Sequence, residues 1–525
     1  MSNYDCIIVG SGINALVAAA LLARKGNKVL ILERNDRLGG CIRTEEITVP
    51  GFKHDVLSSW HPLFITSPGY AELREELERY GLEYCHTDQP TGVVLPDNRF
   101  FILRTSREDN IRAMNAESPG DGDAYRETMA ELEQTLDLTF TLLGSELWTW
   151  RTAKVFLSAL FRRGPRFLAQ FFGYSMQTCR AWLQNTFRSN GIQACFAPWV
   201  LHAGVGPEAV SSGYMGRIIT FTLEAAGCPV VKGGSYKLVE AFEQLIRAHG
   251  GELKTNADVD RIISRDGVAC AVVTTDGTEY NANKAILCSM TPGQLYERLL
   301  TPADVPDPVK KQVKAFQHGN ADMQIHLALD KPPRWCDPAL GKVALLHLTA
   351  GIDAVSKAVN EAERGLLPEC ATIVVGQPAV LDPSRVPEGK GLIWIQLQEL
   401  PRVIKGDAAG EISVPADGKW NEQIKEAYAD RIIERLAQHI PDIKENIIRR
   451  TVLSPADLEA ININLVGGDP YGGACSLDQF FLWRPLRALK NHETPLKNLY
   501  HIGASTHPGP GLGGGSGYLV ATAIR

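Results

Sequence analysis

Tyr4-Asp5-Cys6-Ile7-Ile8-Val9-Gly10-Ser11-Gly12-Ile13-Asn14-Ala15 is the stretch on which the fold turns. Apolar, branched residues run from Tyr4 to Val9 and stop at Gly10. Asn14 to Lys25 is then rich in alanine and leucine up to Gly26, which predicts strand, glycine turn and helix in that order. The turn spells G-x-G-x-x-G with Ala15 in the third glycine's place. Gly10 makes the tight turn, Gly12 lets backbone amides approach a pyrophosphate, and Ala15 lets helix pack closely on strand. The N-terminus of that helix, Asn14 in its first turn, offers unpaired N–H groups and the positive end of a dipole to phosphate. A second strand, Val29 to Leu32, delivers Glu33 at its carboxyl end, where a carboxylate accepts from a ribose hydroxyl, and Arg34 follows it. The glycines alone describe many strand-to-helix loops. Two strands, a helix and an acid in register describe a dinucleotide site.

Leu38-Gly39-Gly40 arrives soon after Glu33 and bends the chain round the nucleotide before Cys41-Ile42-Arg43-Thr44 leaves it. This resembles the extended FAD signature of the flavin amine oxidase and phytoene desaturase superfamily. Many members carry arginine directly after the paired glycines; here Cys41 stands there, and Arg43 is the nearest candidate for a phosphate contact. Further on, Gly233-Gly234-Ser235 predicts a serine-capped helix with Leu238, Phe242 and Leu245 on one face, followed by short strands up to Ala285-Ile286-Leu287. In the superfamily this block carries a second FAD segment, which implies that the backbone of Val259 contacts adenine. Near the far end, Asn498 to Pro508 reads as a strand and its exit, feeding Gly509-Pro510-Gly511-Leu512-Gly513-Gly514-Gly515-Ser516-Gly517 and a helix from about Tyr518. Such a loop brings amides to the pyrophosphate and to the pyrimidine end of a flavin, with Gly503, Ala504, Leu512, Gly513 and Gly514 as cofactor-binding candidates.

With Ser476 to Pro485 added, the chain looks like the phytoene desaturase-related branch. It is most similar there to desaturase-like carotenoid ketolases and to the pyridine nucleotide-disulfide oxidoreductase domain-containing protein 2 group. The resemblance implies one FAD and an α/β fold. A FAD-binding Rossmann-like domain of the glutathione reductase type (1–61, 219–291 and 456–525) would be interleaved with an α+β substrate domain (62–218 and 292–455). It further implies dehydrogenation, desaturation or isomerisation of a lipophilic, polyene-like or otherwise apolar small molecule, with electrons passing to oxygen, a quinone or another acceptor. No second G-x-G-x-x-G and no C-x-x-x-x-C redox pair is present, so the two-nucleotide layout of disulfide reductases is not expected. Two other readings stand beside this one: a flavin amine oxidase releasing hydrogen peroxide, and a non-enzymatic chaperone like the Rab GDP-dissociation inhibitors.

Bulk composition agrees with an enzyme of more than one domain. The 525 residues exceed what one core usually supports. The formal charge of -6, from 54 basic against 60 acidic residues, argues against a nucleic-acid partner. Eleven scattered cysteines without metal-ligand spacing fit reduced thiols in a cytoplasmic protein with no metal. No targeting segment is read at the N-terminus.

Catalytic candidates are fewer. His507 opens the flavin loop and either lies over the ring system or braces the loop. Trp60 and His61 follow a stretch that in the family runs toward the flavin face, although a lone histidine is more often a hydrogen-bonded structural residue. Asp478 and Arg484 are expected to form an ion pair fixing a domain crossing. Cys475 stands where some relatives attach flavin covalently, and a buried, unreactive thiol is the better reading. Leu147 to Tyr174 mixes aromatic and leucine residues with arginines. Such helices either lie on anionic lipid as a peripheral contact or cover the substrate cavity with their arginines in water.

Overall fold

A computed structural model describes residues 2–524 of the chain. Ser2–Val9 forms the central strand of a seven-stranded sheet, and Cys6, Ile7, Ile8 and Val9 are buried. A strand covered on both faces reads as a continuous apolar run, and its second half, Cys6 to Val9, does. Its parallel core follows the order Glu252–Lys254, Val29–Leu32, Ser2–Val9, Glu279–Ser289, Leu499–Ile502. Glu279–Ser289 serves two neighbours on one edge. Its first residues pair antiparallel with Val268–Thr274, which pairs in turn with Val259–Arg265, while Ile286 to Ser289 pair parallel with Leu499–Ile502. Helices Ile13–Arg24, Tyr236–Ala248 and Gly515–Ala523 close one face in a single apolar cluster. The predicted strand, turn, helix and second strand are all present, within a residue or two of their expected ends.

One predicted detail fails. Ser235 precedes the Tyr236–Ala248 helix, but its hydroxyl makes no capping bond. Thr44 caps from across the fold instead, its hydroxyl oxygen accepting from the Tyr236 N–H at 3.0 Å. A distant residue thereby ties the helix start to the segment that follows the paired glycines.

The second sheet is also seven-stranded and mixed, in the order Ile447–Leu453, Ala321–Leu329, Gly391–Leu400, Ile373–Gly376, Leu345–Leu348, Thr91–Val94, Phe100–Leu103. Helix Glu422–Ala437 covers one face through Ile424, Tyr428, Ile432 and Leu436, whose spacing of four keeps them on one stripe. Helices from the 179–226 region cover the other face around Trp182, Phe196 and Trp199. Two expected boundaries shift. Phe64, Tyr70, Leu73 and Leu77 pack with the first sheet, as do Leu295, Leu299, Val309 and Val313, so the regions around 62–82 and 292–316 share the first sheet's core.

A buried ionic knot joins the two halves. Asp55 and Arg385 are both fully buried, with Nη1 to Oδ2 at 2.5 Å, and Arg385 also reaches Asp382 at 3.1 Å. Asp55 further accepts from Thr44, Ser59 and the Ser235 N–H, while Asp382 accepts from the Gly233 N–H. Burial alone would raise the Asp55 pKa; the Arg385 charge and these donors outweigh it and hold the carboxyl below its ordinary value.

Trp150–Met176 is kinked at Gly164, whose φ is 83°, just ahead of Pro165. No helix among the described residues is long and apolar enough to cross a membrane.

Candidate functional site

A cavity of about 410 Å³ runs along the carboxyl ends of the parallel strands and on beneath the second sheet. In open α/β sheets ligands bind at this edge. Gly10, Gly12, Asn14, Glu33, Arg34, Gly39 and Gly40 line it from the N-terminal segment, Val259 from the middle one, and Gly503, Ala504 and Leu512 from the last. Three stretches far apart in sequence therefore meet round one space.

The residues present fit a dinucleotide at that space. A Cβ on Gly12 would meet nothing within 4 Å, so the turn opens on the cavity, whereas Gly10 has φ of 92° and no room beside the Ser289 carbonyl. A Cβ on Gly40 would lie 3.1 Å from the Gly12 Cα, which is the close bend the paired glycines predict. Opposite them, a Cβ on Gly517 would fall 1.8 Å from the Asn14 carbonyl oxygen. The N-termini of helices Ile13–Arg24 and Gly515–Ala523 thus abut. Neither has a cap from its own N-cap residue or an acidic residue in its first turn; the Gly517 N–H donates to Asn14 Oδ1 at 3.3 Å, and the remaining first-turn N–H groups converge on one spot suited to a pyrophosphate.

At the nucleoside end, Glu33 is buried and accepts from the Ser11 N–H at 3.0 Å, the Ser11 hydroxyl at 2.6 Å and the Asn35 N–H at 2.9 Å. Its position is fixed, and a carboxylate has further acceptor capacity for a ribose hydroxyl. Val259 sits with Ala257 and Asp258 on the same wall, and its carbonyl accepts from Arg298 at 2.7 Å. Arg34 and Arg298 both pair with Asp258, at 3.8 and 2.5 Å. At the other end, Ser516 Oγ accepts from the Gly503 N–H at 3.1 Å and lies 2.7 Å from Thr506 Oγ1, which holds the last loop in shape.

Several candidates fall elsewhere. Ala15 is fully buried behind the turn and packs the helix on the strand, its expected role. Gly513 and Gly514 turn the chain into the final helix; Gly513 and Gly514 stand just outside the cavity lining, with Gly514 at φ 68° against Val17. Arg43 does not line the cavity; its guanidinium pairs with Glu45 at 2.6 Å, because Cys41 has taken the position nearest the cofactor space. Of the catalytic candidates only Trp60 faces the cavity. His61 is buried behind it, its Nδ1 3.1 Å from the Tyr84 hydroxyl, and burial pushes its pKa down to about 4. His507 is likewise enclosed, with burial lowering its pKa to about 3, and its carbonyl lies 2.9 Å from His492 Nε2. Neither histidine lines the cavity; His61 reaches Tyr84 through Nδ1, and both ring nitrogens of His507 are buried without a hydrogen-bond partner among the described residues.

The expected Asp478–Arg484 pair does not form. Asp478 faces Arg487 at 3.6 Å, and buried Arg484 instead donates to the carbonyls of Ala504 at 2.7 Å and Tyr471 at 2.6 Å. Cys475 lies beside Arg484, away from the cavity lining, with burial raising its thiol pKa to about 11.

Sequence reasoning missed the far wall. Asp322 and Gln324 of strand Ala321–Leu329 and Gln396 and Gln398 of strand Gly391–Leu400 line the cavity opposite the nucleotide loops. The signal was present as an alternation of polar residues, Asp322, Gln324, His326, inside an otherwise apolar strand. Trp199 and His202 close another part of the wall, with His202 Nε2 3.1 Å from His347 Nε2. Burial brings the His202 pKa to about 3.

A two-nucleotide-loop fold whose cofactor cavity continues under a substrate sheet defines a FAD-dependent oxidoreductase. The family described as flavin containing amine oxidoreductase matches residues 16–523, and the chain belongs to it. Among curated relatives it is 28% identical to the rat pyridine nucleotide-disulfide oxidoreductase domain-containing protein 2, over 99% of this chain and 93% of that protein. It is 26% identical to a limonene dehydrogenase component of Castellaniella defragrans, over 100% of this chain and 95% of that one. An oxidoreductase of Methanosarcina mazei shares the fold, with a TM-score of 0.59 at 16% identity over 99% of both chains.

Proposed function

We propose that this protein dehydrogenates a mainly apolar small molecule held under the second sheet against the flavin. The observation that carries the reading is the continuity of the cofactor cavity with a space walled by Trp60, Trp199, Ile219, Leu223, Leu345 and Trp394. Bound FAD supplies the hydride acceptor. The chain's own part is to bind and orient. Glu33 and the two helix N-termini would hold the nucleotide, the Gly503 to Leu512 loop would offer its amides to the flavin, and the tryptophan wall would exclude water and orient the substrate. The relative named as a limonene dehydrogenase, matched along nearly its whole length, supports a dehydrogenation of this kind.

Anaerobic mixing of the holoenzyme with lipophilic alkenes and alcohols, and in parallel with amines, tests the reading. Loss of flavin colour with members of the first group supports it. Colour loss and peroxide release with amines alone would replace it with an amine oxidase.

Peripheral contact with lipid is favoured by one further observation. Phe140, Trp148, Trp150, Phe161, Phe172 and Met176 are exposed on one lobe, where Arg151, Arg162 and Arg166 are also exposed. An apolar hollow of about 520 Å³ opens among Leu142, Trp148, Trp150, Phe156 and Phe172. Exposed apolar patches of this kind mark binding surfaces, and the arginines suit anionic headgroups.

A further inference from the structure

The polar corner of the substrate cavity is built round one carboxyl. Strand Ala321–Leu329 pairs antiparallel with Gly391–Leu400, Gln324 opposite Gln396 and Met323 opposite Leu397, so Asp322 stands on the same face of the sheet as Gln324 and Gln396. Residues two apart on a strand point to one face. Here the side chain joins the cavity wall beside Gln324, Gln396 and Gln398, across from Tyr471 and Gly472.

Asp322 is 2% exposed, and one of its oxygens accepts from the Gln396 amide while Oδ1 has no partner. The side-chain carbonyls of Gln324 and Gln398, at 3% and 4% exposure, are also without a donor. The other charged groups acting on Asp322 are Asp469 and Glu399, both carboxyls. Asp469 is held by the N–H groups of Gly319, Tyr471 and Gly473 and by the His318 ring at 3.2 Å, and as a carboxyl it adds only repulsion at Asp322. The arginines that line the cavity, Arg34 and Arg298, are engaged with Asp258 at its nucleoside end. A buried acceptor left unpaired costs free energy, and three of them gathered at one wall with no cation opposite call for donors from outside the chain.

We propose that the substrate carries a hydrogen-bond-donating head group, a hydroxyl or an ammonium, which docks on the Asp322 carboxyl between Gln324 and Gln398. The apolar body then lies along the tryptophan wall. Asp322 is a positioning and specificity residue, and it decides which carbon is presented to the flavin. This rests on the dehydrogenase reading above and narrows its substrate from a hydrocarbon to an amphipathic molecule. The raised pKa of Asp322, caused first by burial, agrees with a carboxyl that has no cationic partner among the described residues.

The test uses the holoenzyme and matched probes: a straight-chain alkene, the alcohol and the amine of the same length, repeated over a range of lengths. Each is titrated without oxygen, and binding is read from the perturbed absorbance of the bound flavin. In the wild type, the alcohol or the amine is expected to bind about tenfold more tightly than the alkene, the effect of satisfying one buried acceptor that otherwise stays unpaired. Asp322→Asn, accepted only if its flavin content equals the wild type's, is expected to remove that preference and leave alkene binding unchanged. A preference for the amine alone identifies a cationic head; a shared preference identifies a neutral donor. Equal binding of the three wild-type series overturns the proposal. So does a preference that survives Asp322→Asn, or failure of every donor-bearing probe to bind. Colour loss separates this from the wider reading. A tightly bound alcohol or amine that never bleaches the flavin counts against dehydrogenation, while an alkene that bleaches it without any donor preference counts against the docking site alone.

Discussion

Glu33 shows how one residue can be both legible and constrained. Its place after the second strand is readable from spacing, but its grip on Ser11 and Asn35 is a tertiary fact. Glu33→Gln keeps the volume and removes the charge. Charged hydrogen bonds contribute about 1.5–3 kcal/mol each, so FAD affinity should fall by roughly tenfold or more, read as flavin retained per chain after gel filtration. Unchanged retention would show that the carboxylate does not hold the nucleotide. Arg43 teaches the opposite lesson, because similarity of neighbourhood put it at the phosphates and Glu45 draws it away. A side chain's direction depends on its partner, which spacing does not reveal. Asp322 was passed over for a related reason: its alternation with Gln324 and His326 is visible in the sequence, but which face of the strand borders a cavity is set only when the two sheets pack.

At the scale of elements, the contact between two helix starts is the tightest requirement in the fold. Gly517→Ala would drive a methyl into the Asn14 carbonyl and force the Ile13–Arg24 and Gly515–Ala523 helices apart. The expected result is a protein that purifies without flavin and melts early, checked by absorbance and calorimetry. Strand and helix positions near this contact were legible because the apolar runs and glycine stops are local. The Asp55–Arg385–Asp382 knot was not legible, since Asp55 lies far from the other two in sequence and meets them only when the two sheets pack. Removing one member of a buried pair costs about 3–5 kcal/mol, so Asp55→Asn should lower the unfolding midpoint clearly at pH 7. Asp55 is held below its ordinary value of 3.8, so its contribution is present above that value and lost as pH falls through the lower folded value. The gap between wild type and variant should therefore narrow in acid, and a gap that stays constant with pH would contradict the ionic account.

For the whole molecule, enclosed neutral histidines set the response to pH. His61, His326 and His501 are lowered to about 4 and His202 and His507 to about 3, burial being the first cause in each. Their unfolded counterparts take up protons below the ordinary value of 6.5, so the unfolded state binds more protons there and stability falls as pH drops from that value toward the folded ones. Calorimetric midpoints should decline well before the carboxylate range is reached, whereas a flat profile from neutral pH to about the ordinary carboxylate value would refute this. On the outside, the aromatic lobe was visible in sequence as composition, but whether it faced the cavity or solvent depended on how the kinked helix docks. Its exposure predicts co-sedimentation with anionic vesicles that weakens in salt and is lost in a Trp150→Ala, Phe161→Ala double variant. No sedimentation of the wild type at low salt would dispose of the lipid contact.

All of this depends on separated segments enclosing one flavin. The most direct measurement is the cofactor content of the purified chain after incubation with FAD, by absorbance and by analysis of what denaturation releases. One FAD per chain, freed intact on denaturation, is the predicted result; a chain that stays colourless would contradict the account.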